Sequence, residues 1–305
     1  MLSITGRARR AAAAAVVSGV LAAGALAAAA CAAGAGPLSA AKSTAAHTAA
    51  GGSGYLALGD SVAFGYRPPQ VTPPAAYRNA ANFTGYPSVV AGDLGLTVAN
   101  ASCPGETTAS MISTAAPSNG CENSPGPQPA YRRMYPLHVA YTGSQLAFAV
   151  SFLERHPGTR LVTIDIGAND LDLCRDTTPD QCTGTGFQQT LARAGSNLDA
   201  ILAALRDTAR YRGGLVVLTL YPVNYRDTTA VSRIEALNAV LSQQGERFGA
   251  RIASGFGAFE AASAGTGGNA CAAGLLIRLP GGGCDPHPSP LGRDVLASAI
   301  VAAVR

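Results

Sequence analysis

At 305 residues, with 48% hydrophobic and 13% charged side chains, the chain has ample apolar material for a buried core and excludes bulk disorder. The 22 basic residues exceed the 18 acidic ones, but Arg7, Arg9 and Arg10 lie in a segment expected to be removed, and without them 19 face 18. That balance, with no basic stripe interleaved with aromatics, excludes a nucleic-acid-binding surface.

The three arginines and the Ala-rich apolar residues 11–30 predict an export signal over residues 1–31. The stretch is long enough to span a membrane, but alanine drives insertion weakly and small residues suit peptidase cleavage, so cleavage is preferred. Cys31 follows Ala28-Ala29-Ala30, a context similar to a bacterial lipoprotein cleavage box without the large aliphatic residue three positions before the cysteine. Lipid attachment at Cys31, with membrane anchoring through it, and its removal both stay open. Arg9-Arg10 is a weak twin-arginine signal. Residues 32–54, built of Ala, Gly, Ser and Thr, predict a flexible tether, and residues 55–305 a single domain. The expected location is extracytoplasmic: secreted, or lipid-anchored to the outer face of the cell membrane.

Five β-prone runs follow, at residues 55–60, 96–101, 160–167, 215–221 and 251–255, each continuously apolar rather than alternating, as strands buried on both faces are. Helical patterns occupy residues 144–155, 188–210, 229–248 and 292–304, with His156-Pro157-Gly158 and Gly213-Gly214 as stop signals. Strand–helix alternation predicts a three-layer α/β/α sandwich around a mainly parallel five-stranded sheet. Residues 117–136, rich in Pro, Gly and Asn, predict a surface loop that roofs the site. Ligands of such sheets bind beyond the carboxyl ends of the strands.

Besides Cys31 there are six cysteines, an even number in an oxidising compartment, which predicts three disulfides. Fifteen pairings are open. The cysteines fall into three close couples along the chain, so Cys103–Cys121, Cys174–Cys182 and Cys271–Cys284 is the economical choice. No CxxC or HExxH spacing occurs, and no metal is expected.

Gly59-Asp60-Ser61-Val62 follows the first run and places a serine at a strand-to-helix turn, where helix-start amides face an anion; alternatively Asp60 and Ser61 only cap the next helix. Gly105, in Asn100-Ala101-Ser102-Cys103-Pro104-Gly105, offers a backbone N–H with no side chain in the way. In Gly167-Ala168-Asn169-Asp170, Asn169 offers a side-chain amide to an oxyanion, or with Asp170 caps a helix. Asp285-Pro286-His287-Pro288 precedes the last helical pattern, and histidine suits proton transfer near neutrality. His47 falls in the tether, His138 in the loop region and His156 at a helix stop, which leaves His287 as the general base.

These four blocks, in this order and each in its expected place, resemble the SGNH hydrolase family, also called GDSL esterases and lipases, from Tyr55 to the C-terminus. The resemblance implies a flavodoxin-like fold and a carboxylic ester hydrolase. Ser61 is then nucleophile and first oxyanion donor, Gly105 and Asn169 supply the other donors, His287 is the base and Asp285 its orienting partner. It implies no cofactor, a small-molecule or lipid ester as substrate, and a monomer. The cysteine couples are similar to those of secreted Streptomyces-type lipases within the family. Val62 stands where the family has Leu, an apolar exchange. Asp285 stands two residues before His287 rather than the usual three, which keeps a backbone carbonyl open as the imidazole's partner. The competing readings are a carbohydrate deacetylase on the same fold, against which the absence of Trp weighs, and a non-catalytic binding protein.

Overall fold

The computed structural model of the protein describes residues 54–127 and 129–305. The expected export signal, Cys31 and the tether up to residue 53 lie outside them. Strands β1 (Gly54–Gly59), β2 (Thr97–Asn100), β3 (Thr159–Asp165), β4 (Gly214–Leu218) and β5 (Arg251–Ala253) form one parallel sheet in the order β2-β1-β3-β4-β5. Each strand ends one to three residues before the predicted run does.

The helices are α1 (Ser61–Phe64), α2 (Tyr86–Leu94), α3 (Thr108–Ile112), α4 (Tyr131–Met134), α5 (Gln145–Arg155), α6 (Ala168–Thr177), α7 (Thr185–Ala203), α8 (Thr228–Arg247), α9 (Gly255–Ser263) and α10 (Pro290–Val304). Alternation along the strands builds the three layers, since successive side chains leave opposite faces of a sheet. Leu56, Leu58, Val162, Ile164 and Val217 pack against α5, α7 and α8 through Leu153, Leu198 and Leu241. Tyr55, Ala57, Leu161, Val216 and Leu218 pack against α2, α9 and α10 through Val90, Phe259 and Ile300. Leu56, Leu58, Val162 and Ile164 are fully buried, and each such side chain stabilises the fold by about 1.5–3 kcal/mol. The two central strands are thus a rigid base for the loops beyond their C-terminal ends.

Helices α5, α8 and α10 sit where the apolar spacing predicts, and Ser144, Asp227 and Ser289 cap them by accepting from the backbone N–H groups of Ala147, Ala230 and Gly292. The predicted helix over 188–210 starts earlier, at Thr185, and ends in a π turn, Ala204–Thr208. Helices α2 and α9 were not predicted. Nine residues give only about two and a half turns, and α2 has Gly85 at its N-cap with no side-chain bond and Pro87 in its first turn. Also unpredicted is the antiparallel pair β6 (Leu276–Arg278) and β7 (Cys284–Pro288), which brings His287 back to the sheet.

The surface loop predicted over 117–136 is irregular and largely exposed, but it is anchored inward at a few points. Ser118, Cys121, Ala130 and Tyr131 in this stretch are buried, and α4 lies within it. The disulfide Cys103–Cys121 draws Cys121 inward, while the prolines Pro117, Pro125, Pro127, Pro129 and Pro136 stay exposed. The other disulfides are Cys174–Cys182 and Cys271–Cys284, with Cα atoms 5.3 and 5.7 Å apart.

Candidate active site

Gly59 closes β1 with φ +142°, and a Cβ there would fall 2.3 Å from the Asp165 carbonyl oxygen, so only glycine fits the approach of β1 to β3. Asp60 follows and caps α1: its Oδ1 accepts from the Val62 N–H at 2.9 Å. Ser61 is therefore the first residue of α1, partly exposed at the C-terminal edge of the sheet. The capping alternative holds for Asp60, and it leaves the Ser61 hydroxyl free for another partner. That partner is His287, whose Nε2 lies 2.8 Å from Ser61 Oγ.

The segment carrying His287 is extended because Pro286 and Pro288 disfavour the helical region for the residues before them, and because β7 pairs with β6. Residues two apart on a strand project to the same side. The Asp285 and His287 side chains accordingly meet, with Asp285 Oδ1 hydrogen-bonded to His287 Nδ1 and also accepting from the His287 backbone N–H at 3.0 Å. Burial pushes the Asp285 carboxyl up, but the hydrogen bonds from His287 and the imidazole charge outweigh it and hold the group below the usual aspartate range. The Cys271–Cys284 disulfide anchors the residue before Asp285, the Tyr221 hydroxyl donates to the Pro286 carbonyl at 3.1 Å, and the Tyr66 ring lies 5.0 Å from the imidazole.

Gly105 has φ +84°, and a Cβ there would meet the Asn119 carbonyl oxygen at 2.5 Å. Asn119 also donates from Nδ2 to Asn169 Oδ1 at 3.0 Å, which turns the Asn169 amide nitrogen toward Asp60 Oδ2, 3.3 Å away. One residue of the 117–136 stretch therefore braces both Gly105 and Asn169. The neighbouring Asp170 does not cap its own helix; it accepts from the Thr108 N–H at 2.9 Å and from the Thr108 hydroxyl at 2.5 Å, holding α3 to α6.

The profile of the GDSL-like lipase/acylhydrolase family matches residues 57–295. The chain belongs to this family. It is an ester hydrolase. Similar solved structures include a lipase from a goat rumen metagenome, with TM-score 0.52 and 16% identity over 82% of this chain and 96% of that one. Another is a variant of an acetylxylan esterase from Geobacillus stearothermophilus, with TM-score 0.50 and 19% identity over 83% and 94%. At these identities the likeness shows the fold alone. No curated protein matches the chain.

In this GDSL-like hydrolase the two other described histidines have other partners. His138 Nε2 lies 2.9 Å from the Phe64 carbonyl and His156 Nδ1 lies 2.8 Å from the Phe152 carbonyl, the latter at the predicted helix stop. Cys103, Glu106 and Cys121 are close enough together to share a metal ion, but the two sulfurs are bonded to each other and offer no thiolate. Among the described residues no helix is long and apolar enough to cross a membrane.

Sequence reasoning missed the buried acids. Burial pushes Asp60 up to about 7 against the opposing Val62 N–H, pushes Glu106 up to about 8 and Asp170 up to about 6. Burial, and then the neighbouring Asp60, also raises Asp165, whose Oδ2 has no hydrogen-bond partner. These groups hold protons in the fold that the unfolded chain releases near pH 4. The folded state therefore binds more protons between about pH 4 and 8, and stability is fully present below the unfolded values and lost as pH rises through the folded ones. The melting temperature is expected to be several degrees higher at pH 5 than at pH 8. A thermal melt series showing a flat or rising Tm over that window would contradict the assignment.

Proposed function

We propose that the protein is a secreted serine esterase or lipase that cleaves lipid or short-chain acyl carboxylic esters through an acyl-enzyme on Ser61. The observation that carries this reading is the contact of Ser61 Oγ with His287 Nε2 at 2.8 Å, with Asp285 on the other ring nitrogen. Ser61 Oγ attacks the ester carbonyl while His287 Nε2 takes its proton, and the carboxylate of Asp285 steadies the imidazolium that forms. The carbonyl oxygen, now negative, is held by the backbone N–H groups of Ser61 and Gly105 and by Asn169 Nδ2. Collapse releases the alcohol with the proton from His287, and water repeats the sequence to free the acid. No cofactor enters.

An apolar substrate is favoured by the half-buried Tyr66 ring beside His287, which packs on the buried aromatic cluster Phe64, Tyr77, Phe83 and Tyr131. Three disulfides in a chain with a basic, Ala-rich N-terminus favour export. The competing reading, a carbohydrate deacetylase, has in its favour that one structural neighbour is an acetylxylan esterase. A panel of p-nitrophenyl esters run beside acetylated xylooligosaccharides separates them. Turnover is expected to rise from acetate toward longer acyl chains, and a preference for acetyl-xylooligosaccharide over every p-nitrophenyl ester would transfer the assignment to the deacetylase.

A further inference from the structure

Gln145, the first residue of α5, is fully buried, and all the polar atoms of its side chain are used. The Gly59 N–H donates to its Oε1 at 2.6 Å, and its Nε2 donates to the Gly59 carbonyl at 3.0 Å and to Glu106 Oε2 at 2.9 Å. Gly59 lies two residues before Ser61, and Glu106 directly follows Gly105. One amide thus bonds the strand end that leads into the nucleophile to the loop that carries the second oxyanion donor.

The link continues. Glu106 Oε1 accepts from the Ser110 hydroxyl on α3, and α3 is held at Thr108 by Asp170, the residue after Asn169. Buried and half-buried hydrogen bonds, joined through α3, therefore run past all three segments that bear Ser61, Gly105 and Asn169. Oxyanion stabilisation depends on donors fixed within about 0.5 Å of the productive geometry before the charge develops. The backbone of a strand end and of a Pro-Gly turn has no such fixity of its own.

We propose that Gln145 is a positioning residue for ester hydrolysis: through Gly59 and Glu106 it sets the spacing between Ser61 and the Gly105 N–H. The proposal rests on the roles given above to Ser61 and Gly105. A purely structural amide would contribute to stability and leave the chemistry of the folded enzyme untouched, so the two are separable by kinetics.

The test is Gln145→Leu, assayed well below its melting temperature, with kcat, KM and the affinity for an alkyl trifluoromethyl ketone measured together. The ketone adds a serine hydroxyl to form a tetrahedral oxyanion and so reports on the donors. Expected are a fall in kcat of about 100-fold, comparable to loss of one oxyanion donor, a matching loss of ketone affinity, and a KM within about twofold of the parent. Should Gln145→Leu fail to fold, Glu106→Leu decides, since it leaves the Gly59 pair in place. That variant should lose kcat as well, and Glu106→Gln, which keeps an oxygen for Gln145 Nε2, should regain at least tenfold over it. Unchanged kcat and ketone affinity in a folded variant, or a loss confined to Tm or KM, overturns the proposal. Turnover that survives Ser61→Ala would instead overturn the underlying site assignment, whatever Gln145 does.

Discussion

Replacing Ser61 by alanine is expected to lower kcat for p-nitrophenyl esters on the order of 10⁶-fold, as loss of the nucleophile does in serine hydrolases, while the protein folds as before. The structural half of this expectation follows from what the hydroxyl touches. Its hydrogen bond is with His287 Nε2, whereas α1 is capped by Asp60 and its backbone is tied to β3 through the Asp60 N–H and the Asp165 carbonyl at 3.1 Å. Alanine at a helix start removes neither tie, so Tm should move by no more than a few degrees. A fluorescent alkyl phosphonate should label the parent enzyme stoichiometrically and leave the variant unlabelled. Turnover within tenfold of the parent, in protein shown by mass spectrometry to carry alanine, would remove Ser61 from the reaction.

Those parts of the fold that depend on local pattern were legible in the sequence. Continuous apolar runs marked the five strands because a sheet covered on both faces needs no polar side, and the amphipathic spacing of α5, α8 and α10 marked the helices that cover it. Ser61, Gly105 and Asn169 stood out as candidates because each lies past the end of a strand of the parallel sheet, and His287 because its flanking prolines precede the last helix. Gln145 was not. It pairs with Gly59 across 86 residues and with Glu106 across 39, and in the sequence it is one polar residue at the start of an amphipathic helix. Asn119 was hidden for the same reason, since its partners Gly105 and Asn169 are brought to it only by the fold. The β6–β7 pair escaped notice because β7 carries two prolines and β6 is three residues long, so neither shows a strand signature.

The second large effect is expected at Asp285, where Asp285→Ala should cut kcat by about 10⁴-fold with little change in KM, because the imidazolium formed on attack then lacks its counter-charge and its orienting acceptor. The geometry makes a sharper statement about Asp285→Asn. In a triad where the two oxygens of the carboxylate serve different donors, an amide can turn its nitrogen toward the ring and impose the wrong imidazole tautomer. Here a single oxygen, Oδ1, takes both the His287 backbone N–H and the ring Nδ1. An asparagine must keep its oxygen in that place to satisfy the backbone donor, so it also presents oxygen to the ring and preserves the tautomer in which Nε2 accepts from Ser61. What it loses is the charge, which the hydrogen bonds from His287 favour by holding the Asp285 carboxyl below the usual aspartate range. Asp285→Asn should therefore be at least tenfold more active than Asp285→Ala while remaining well below the parent. Equal losses in the two variants would mean that the tautomer is not fixed in this way, and a loss below about tenfold in Asp285→Ala would assign the orientation of His287 to another acceptor, such as a backbone carbonyl.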